Sequence, residues 1–288
     1  MFEGFDERSF AVGDVEIAAR VGGSGPPLLL LHGAPQTHVM WHAMAPRLAE
    51  THTVVATDLR GYGASSKPRG GGDHSTYSFR SMAQDQVDVM GSLGHDRFTL
   101  VGHDRGGRVA HRLTLDHPQA VARLAVLDIV PTQYVYEHAD RALATAYWHW
   151  FFLIQPEPLP EMLLEPRAGA VLRGLLGAVG DSSFYAEEAL AAYERAFDAA
   201  TIHALCEDYR AAASIDLEHD AEDRGRRIEC PMHVLWGTRG VVGQLYEPLE
   251  VWEDYAASLS GGGIDAGHFL AEERPDEVYA ALAEFLRA

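Results

Sequence analysis

The stretch Phe98-Thr-Leu-Val-Gly-His-Asp104-Arg-Gly-Gly-Arg108 holds the residue types most able to do chemistry. Gly102 and Gly106 flank Asp104 by two positions on each side. An apolar β-rich run, Phe98 to Val101, leads into the acid, and a helix-like run leaves it from Arg108. Small residues around a central side chain on a strand-to-helix turn are the pattern that exposes a nucleophile. Glycine is needed there because the two backbones approach closely. The usual occupant is Ser, which attacks carbonyls and needs a base to remove its proton. A carboxylate is already ionised at neutral pH and needs no activation. Its best target is a saturated carbon bearing a leaving group, attacked in an SN2 step that leaves an ester on the enzyme. The helix that begins after Asp104 favours the anion. An isolated Asp at this place reads more readily as a helix N-cap; the flanking glycines and the partner residues below turn the reading toward the nucleophile.

The elements that must position Asp104 can be read along the chain. Its 288 residues allow one large α/β domain with an inserted lobe. Residues 9–22 alternate around Gly13-Asp14 and predict a hairpin. Pro26 to Leu31 is a continuous apolar run, as expected of a strand buried on both faces. It ends in His32-Gly33-Ala34-Pro35-Gln36, a loop placed to supply a backbone N–H to an oxyanion. His52 to Thr57 predicts the next strand, and 79–93 a helix. Gly70 to Gly72 could cradle phosphate, but no Gly-Lys-Ser/Thr follows, which discounts a P-loop. Val121 to Leu127 predicts a strand with Asp128 at its C-terminal end, where open parallel sheets bind ligands.

From Pro131 to about Asp220 the alternation of strands and helices stops. Ala, aromatics and helix formers dominate, with a Pro-rich break at 155–160. The expectation is a helical cap, 131–218, inserted into a core made of 1–130 and 219–288. Sheet character returns at Ile228–Gly237, and a short strand near Gly263-Ile264 leads to Gly267-His268-Phe269. A helix over Asp276–Arg287 closes the domain.

The formal net charge of −19 argues against nucleic acid as a partner. It also repels anionic small molecules at long range, so an anionic substrate would need a local cationic clamp. Two cysteines are too few for a disulfide framework and point to the cytoplasm. No apolar run is long enough to span a bilayer, and no Cys/His cluster has zinc-ligand spacing.

Together these residues resemble the α/β-hydrolase superfamily, and within it the fluoroacetate (haloacetate) dehalogenases. The resemblance covers nearly the whole chain. It rests most on Gly-His-Asp104-Arg105-Gly-Gly-Arg108, with support from Leu127-Asp128-Ile-Val-Pro-Thr132, Trp148-His149-Trp150, Asp208-Tyr209-Arg210 and Gly267-His268-Phe269. It implies an α/β-hydrolase fold with a mostly parallel sheet, and hydrolysis of a carbon–halogen bond α to a carboxylate, with no cofactor and no metal. Asp104 would attack the α-carbon and expel halide. His268 would activate water against the ester, and Asp128 would orient His268. Many relatives place that acid after the later strand, but here Trp236-Gly-Thr-Arg-Gly-Val has no carboxylate, which strengthens Asp128. Arg105 and Arg108 would clamp the substrate carboxylate through their planar forks. His149, Trp150 and Tyr209 would donate to the departing halide, and the backbone N–H groups of Ala34 and Arg105 would hold the oxyanion. Trp148 reads instead as aromatic packing. The resemblance further implies a homodimer.

One position departs from the family pattern: Ala34 stands where members typically have Phe, which leaves larger 2-haloacids open as substrates. Two other readings compete. An epoxide hydrolase would use the same Asp–His–Asp chemistry with tyrosines on the epoxide oxygen, and Tyr134, Tyr136, Tyr147 and Tyr209 are available. The arginine pair argues against an uncharged epoxide. A non-catalytic ligand-binding relative would be expected to have lost a catalytic residue.

Overall fold

The computed structural model describes residues 1–177 and 182–287. One eight-stranded sheet runs through the molecule: β1 (Phe5–Val12), β2 (Val15–Gly23), β3 (Pro27–Leu31), β4 (Thr53–Thr57), β5 (Phe98–His103), β6 (Val121–Leu127), β7 (Met232–Gly237) and β8 (Leu259–Ile264). Their spatial order is β1-β2-β4-β3-β5-β6-β7-β8. The β1/β2 and β2/β4 pairs are antiparallel, and every pair from β4/β3 onward is parallel. Central strands covered on both faces need no polar side, and Leu28 to Leu31 of β3 are each fully buried.

The β1/β2 hairpin turns at Gly13-Asp14, as the sequence predicts, but β1 starts at Phe5 rather than Ser9. It is an edge strand whose early side chains are exposed, so the alternation that marks a half-buried strand is weak there. Backbone pairing, Phe5 opposite Gly22, defines it instead. β8 is likewise longer than its sequence signal. Its glycines hide it, and Gly261 is there for contact: it has φ +153°, and a Cβ on it would stand 2.0 Å from the Val234 carbonyl of β7.

Between β6 and β7 the described residues form helices and no strand, including 132–137, 148–153, 159–164, 187–196, 199–212 and 215–222. The Pro-rich break follows the second of these and runs into the first turn of the third, which holds Pro160. Gly70 to Gly72 lie in a loop beside the Glu207 carboxylate, where a Cβ on Gly70 would come within 2.0 Å of Glu207 Oε2. An anion already occupies that place, so the loop is no phosphate cradle. Among the described residues no helix is long and apolar enough to cross a membrane.

Candidate active site

β5 ends at His103, and the helix 104–116 begins at once with Asp104, whose φ of +46° marks a sharp turn. The glycines around it are needed for contact. A Cβ on Gly102 would sit 2.4 Å from the Gly106 carbonyl, and one on Gly106 would sit 2.4 Å from that of His32. The loop after β3 is thereby pressed against the turn, and the Gly106 N–H donates to the His32 carbonyl at 2.9 Å. In the same contact the Ala34 N–H donates to Asp104 Oδ1 at 2.9 Å. Of the two expected backbone donors, Ala34 already holds the carboxylate. Burial pushes the Asp104 carboxyl up, but His268, His103, Arg108 and Arg105 outweigh it and hold the acid well below the usual range. Asp104 is an anion at every working pH.

His268, in the loop after β8, points Nε2 at Asp104 Oδ2 across 3.8 Å, too far for a direct hydrogen bond. Its Nδ1 lies 2.6 Å from Asp128 Oδ2, and Asp128 Oδ1 accepts the Gly237 N–H at 2.9 Å. Asp128 closes β6 with φ +53° and is buried. Burial lowers the His268 pKa, but the bond and charge of Asp128 and the charge of Asp104 win and raise it. Behind it, burial brings His103 down to about 3, so its neutral ring donates to the His268 carbonyl at 2.9 Å. The expected Asp104, Asp128 and His268 are thus brought together by the ends of three strands.

A cavity of about 210 Å³ opens over Asp104, lined in part by Ala34, Tyr147, His149, Trp150, Tyr209 and His268. His149 and Trp150 come from the helix 148–153 and Tyr209 from 199–212. Their rings meet edge to face, His149 to Tyr209 at 6.0 Å and Trp150 to Tyr209 at 5.8 Å. Burial pushes His149 down to about 4, leaving a neutral ring with one N–H. Burial, reinforced by the Asp104 charge, raises Tyr209, so its hydroxyl keeps its proton. Sequence reasoning gave Tyr147 no part in halide binding, yet it stacks on Trp150 at 5.4 Å and lines the same cavity. The expectation for Trp148 is corrected: it is 56% exposed and lies at the cavity rather than in a packed core. Trp150 and Leu153 are the inward positions of this short helix, and a residue two before Trp150 faces nearly the opposite way.

The two arginines are buried, each stacked on a ring that lines the cavity: Arg105 over Tyr209 at 4.4 Å and Arg108 over Trp150 at 4.6 Å. Arg105 Nε donates to Asp208 Oδ2 at 2.9 Å, and its Nη2 donates to the Asp208 carbonyl at 2.9 Å and to Oδ1. Tyr62 donates to the same carboxylate at 2.6 Å. Arg108 Nη1 donates to the Val130 carbonyl at 3.1 Å and to Thr132 Oγ1 at 2.9 Å. Arg105 Nη1 and Arg108 Nε are buried, with no hydrogen-bond partner among the described residues. Asp208 neutralises Arg105, so Arg108 supplies the uncompensated positive charge beside Asp104. No periodicity or spacing marked Tyr62 or Asp208 for this task, because both act across the fold on a residue far along the chain.

Comparison with known proteins agrees with this geometry. The α/beta hydrolase fold profile matches residues 26–176. A fluoroacetate dehalogenase of Burkholderia sp is 50% identical over 99% of this chain and 95% of its own length. A soluble epoxide hydrolase of Corynebacterium sp. (strain C12) is 32% identical over 91% of each chain. A crystal structure from Nostoc sp PCC 7120, of a protein assigned to the alpha/beta hydrolases, superposes with a TM-score of 0.97 at 53% identity, covering 99% of both chains. With a strand-to-helix turn that presents Asp104 to His268 and a near full-length relative at half identity, the chain belongs to the α/β-hydrolase family, in its fluoroacetate dehalogenase group.

Proposed function

We propose that the protein hydrolyses the carbon–halogen bond of haloacetates, fluoroacetate to glycolate and fluoride included, or of related 2-haloacids. The observation that carries the reading is an anionic Asp104, aimed into a small cavity with two buried arginines behind its walls. An anionic nucleophile repels an anionic substrate unless cations stand by, and the molecule's overall charge of −19 offers none at long range. Arg108 supplies that charge locally, and Arg105, paired with Asp208, offers a further buried N–H donor.

Asp104 Oδ2 attacks the α-carbon, an ester bond forms, and the carbon–halogen bond breaks with its electron pair going to the halide. The His149 ring N–H, the Trp150 indole N–H and the Tyr209 hydroxyl are donors for that developing charge. Fluoride is a poor leaving group, and one such donor is worth about 3 kcal/mol in other enzymes. Water then enters beside His268, which takes its proton while the oxygen adds to the ester carbonyl of Asp104. The oxyanion forms where the Ala34 N–H already points. Its collapse breaks the bond from the Asp104 carbonyl carbon to the alkyl oxygen, the His268 imidazolium returns its proton to that oxygen, and the hydroxyacid leaves as the carboxylate is restored. Esterification removes the Asp104 charge, one of the causes that raise His268, and so shifts the imidazole toward its neutral, basic form when a base is needed.

The test is halide release from fluoroacetate and chloroacetate, with Asp104→Asn as control and His268→Ala as trap. The trap is expected to release one halide per site and to gain the mass of the acyl group; unmodified His268→Ala would overturn the mechanism. A second reading, epoxide hydrolysis, is favoured by the Tyr147 and Tyr209 rings at the cavity and by the Corynebacterium relative. The buried arginines place it second for an uncharged epoxide.

A further inference from the structure

Glu272 lies four residues past His268, on the short helix 270–273, and its carboxyl is 5% exposed. Two neutral groups from two other segments bond it. Gln36 Nε2 donates to Oε2 at 2.6 Å, and the Tyr193 hydroxyl donates to Oε1 at 2.8 Å. Gln36 belongs to the loop whose Ala34 N–H holds the nucleophile. Tyr193 belongs to the inserted helix 187–196. One buried carboxyl therefore joins the nucleophile-holding loop, the loop of His268 and the helical insertion.

The surroundings of this carboxyl suit an acid better than an anion. Among the described residues no Arg, Lys or His bonds it. A buried carboxylate with neutral donors alone is costly, whereas the acid form is not. Gln36 Oε1 is buried, with no hydrogen-bond partner among the described residues. With the amide turned end for end, that oxygen would accept the acid's proton, and 2.6 Å is the length of an O–H···O bond.

We propose that Glu272 is a positioning residue for the reaction: as the neutral acid it latches the Ala34 loop and the His268 loop to the inserted helix, and the latch loosens when the acid ionises. The proposal rests on the Asp104–His268 reading of the site. Burial drives the group up to about 8, with the Tyr193 and Gln36 bonds pulling only partly downward. The other ionisable groups nearby are otherwise engaged or are themselves acidic. On the insertion, Tyr185 donates to the Leu176 carbonyl, Glu194 pairs with Arg173, and Glu187 and Glu188 are acids; Arg195 lines a separate cavity with His38. On the segment 38–42, His38 pairs with Asp58, and His42 Nδ1 lies 3.0 Å from the Val39 carbonyl. On its own helix, Glu273 accepts the Gly267 and Phe269 N–H groups, and the next residue, Arg274, bonds the Glu273 carbonyl and pairs with Glu277.

The experiment compares wild type, Glu272→Gln and Glu272→Ala by kcat and Tm across pH. In wild type, kcat is expected to fall roughly threefold or more between about pH 7 and pH 9.5, and Tm to decline as pH rises toward 8, since the folded acid binds a proton the unfolded one has lost. Glu272→Gln, which stays neutral, is expected to remove the alkaline fall in kcat, to flatten the Tm decline by the share Glu272 contributes beside His268, and to keep neutral-pH activity. Glu272→Ala is expected to lower kcat at every pH with KM within about twofold. A wild-type alkaline limb and an undiminished Tm slope in Glu272→Gln would overturn the proposal. If Glu272→Ala does not fold, the Gln comparison still decides. If no haloacid is turned over, the reading of the site fails while the Tm arm still reports on the latch.

Discussion

Asp208 grips Arg105 from its Nε and Nη2 edge and leaves Nη1 buried, with no hydrogen-bond partner among the described residues. The pair is completely buried, and Tyr62 fills a further site on the carboxylate. A guanidinium held this way cannot turn, so its remaining N–H groups keep one direction without a loss of side-chain entropy on binding. Removing one partner of such a pair leaves a buried charge and costs about 3–5 kcal/mol of stability. Tyr62→Phe is the milder cut, removing one hydrogen bond to a charged group worth about 1.5–3 kcal/mol. It is expected to raise KM for haloacetate several-fold with little change in turnover of a neutral haloalkane. Steady-state kinetics on both substrates check this, and equal effects on the two would count against Arg105 as a carboxylate ligand.

Arg108 carries the uncompensated charge, fixed by Val130 and Thr132. Arg108→Ala is expected to cut kcat/KM for haloacetate by about a hundredfold, as loss of a charge-assisted contact of some 3 kcal/mol implies. Neutral haloalkanes should lose far less. Thr132→Val should follow in the same direction with a smaller loss, since it removes one bond and leaves the charge.

The raised pKa of His268 has a sign that can be read directly. Asp128 and Asp104 hold the imidazolium, so the folded value lies above 6.5. Its stabilising contribution is full below the unfolded value and is lost as pH rises through the folded one. Asp104→Asn removes one of the two anions and is expected to lower the His268 titration midpoint, which ring NMR signals can follow. An unchanged midpoint would sink the idea that esterification retunes the base.

Tyr147 and Tyr209 line one cavity, yet only Tyr209 was expected among the halide donors. Tyr209→Phe is expected to slow fluoroacetate more than chloroacetate, because the poorer leaving group depends more on donors. If Tyr147→Phe slows fluoride release as much, the donor set has four members; if it slows only epoxide opening, the second reading gains ground. Halide electrodes and a diol assay on the same preparations separate these outcomes.

The turn itself is testable through stability. Gly102→Ala would place a methyl 2.4 Å from a backbone carbonyl, where nothing flexible can give way. It is expected to destabilise by more than about 4 kcal/mol, read as a large loss in denaturant midpoint. A near-neutral result would mean that β5 and the following helix can separate.

Much of this was legible in the residues. Gly102, Asp104 and Gly106 stand within five positions, so their spacing alone reports the turn and its nucleophile. Leu28 to Leu31 announced a strand covered on both faces by composition alone. β1 and β8 were read short because an exposed edge and a run of glycines lack a side-chain signature. Trp148 was misread because aromatic character in a helix does not say which way the residue faces.

What the sequence determined by itself is therefore local: the strand-to-helix turn that carries Asp104, the proposed nucleophile, the strands and helices around it, and the order in which Asp104, Asp128 and His268 occur. What only the tertiary structure decided is which distant side chains reach them. Asp208 lies 103 residues from Arg105, and Glu272 lies 236 from Gln36. No periodicity of 2 or 3.6 residues extends over such separations; only the packing of strands and inserted helices brings these groups within a hydrogen bond of each other.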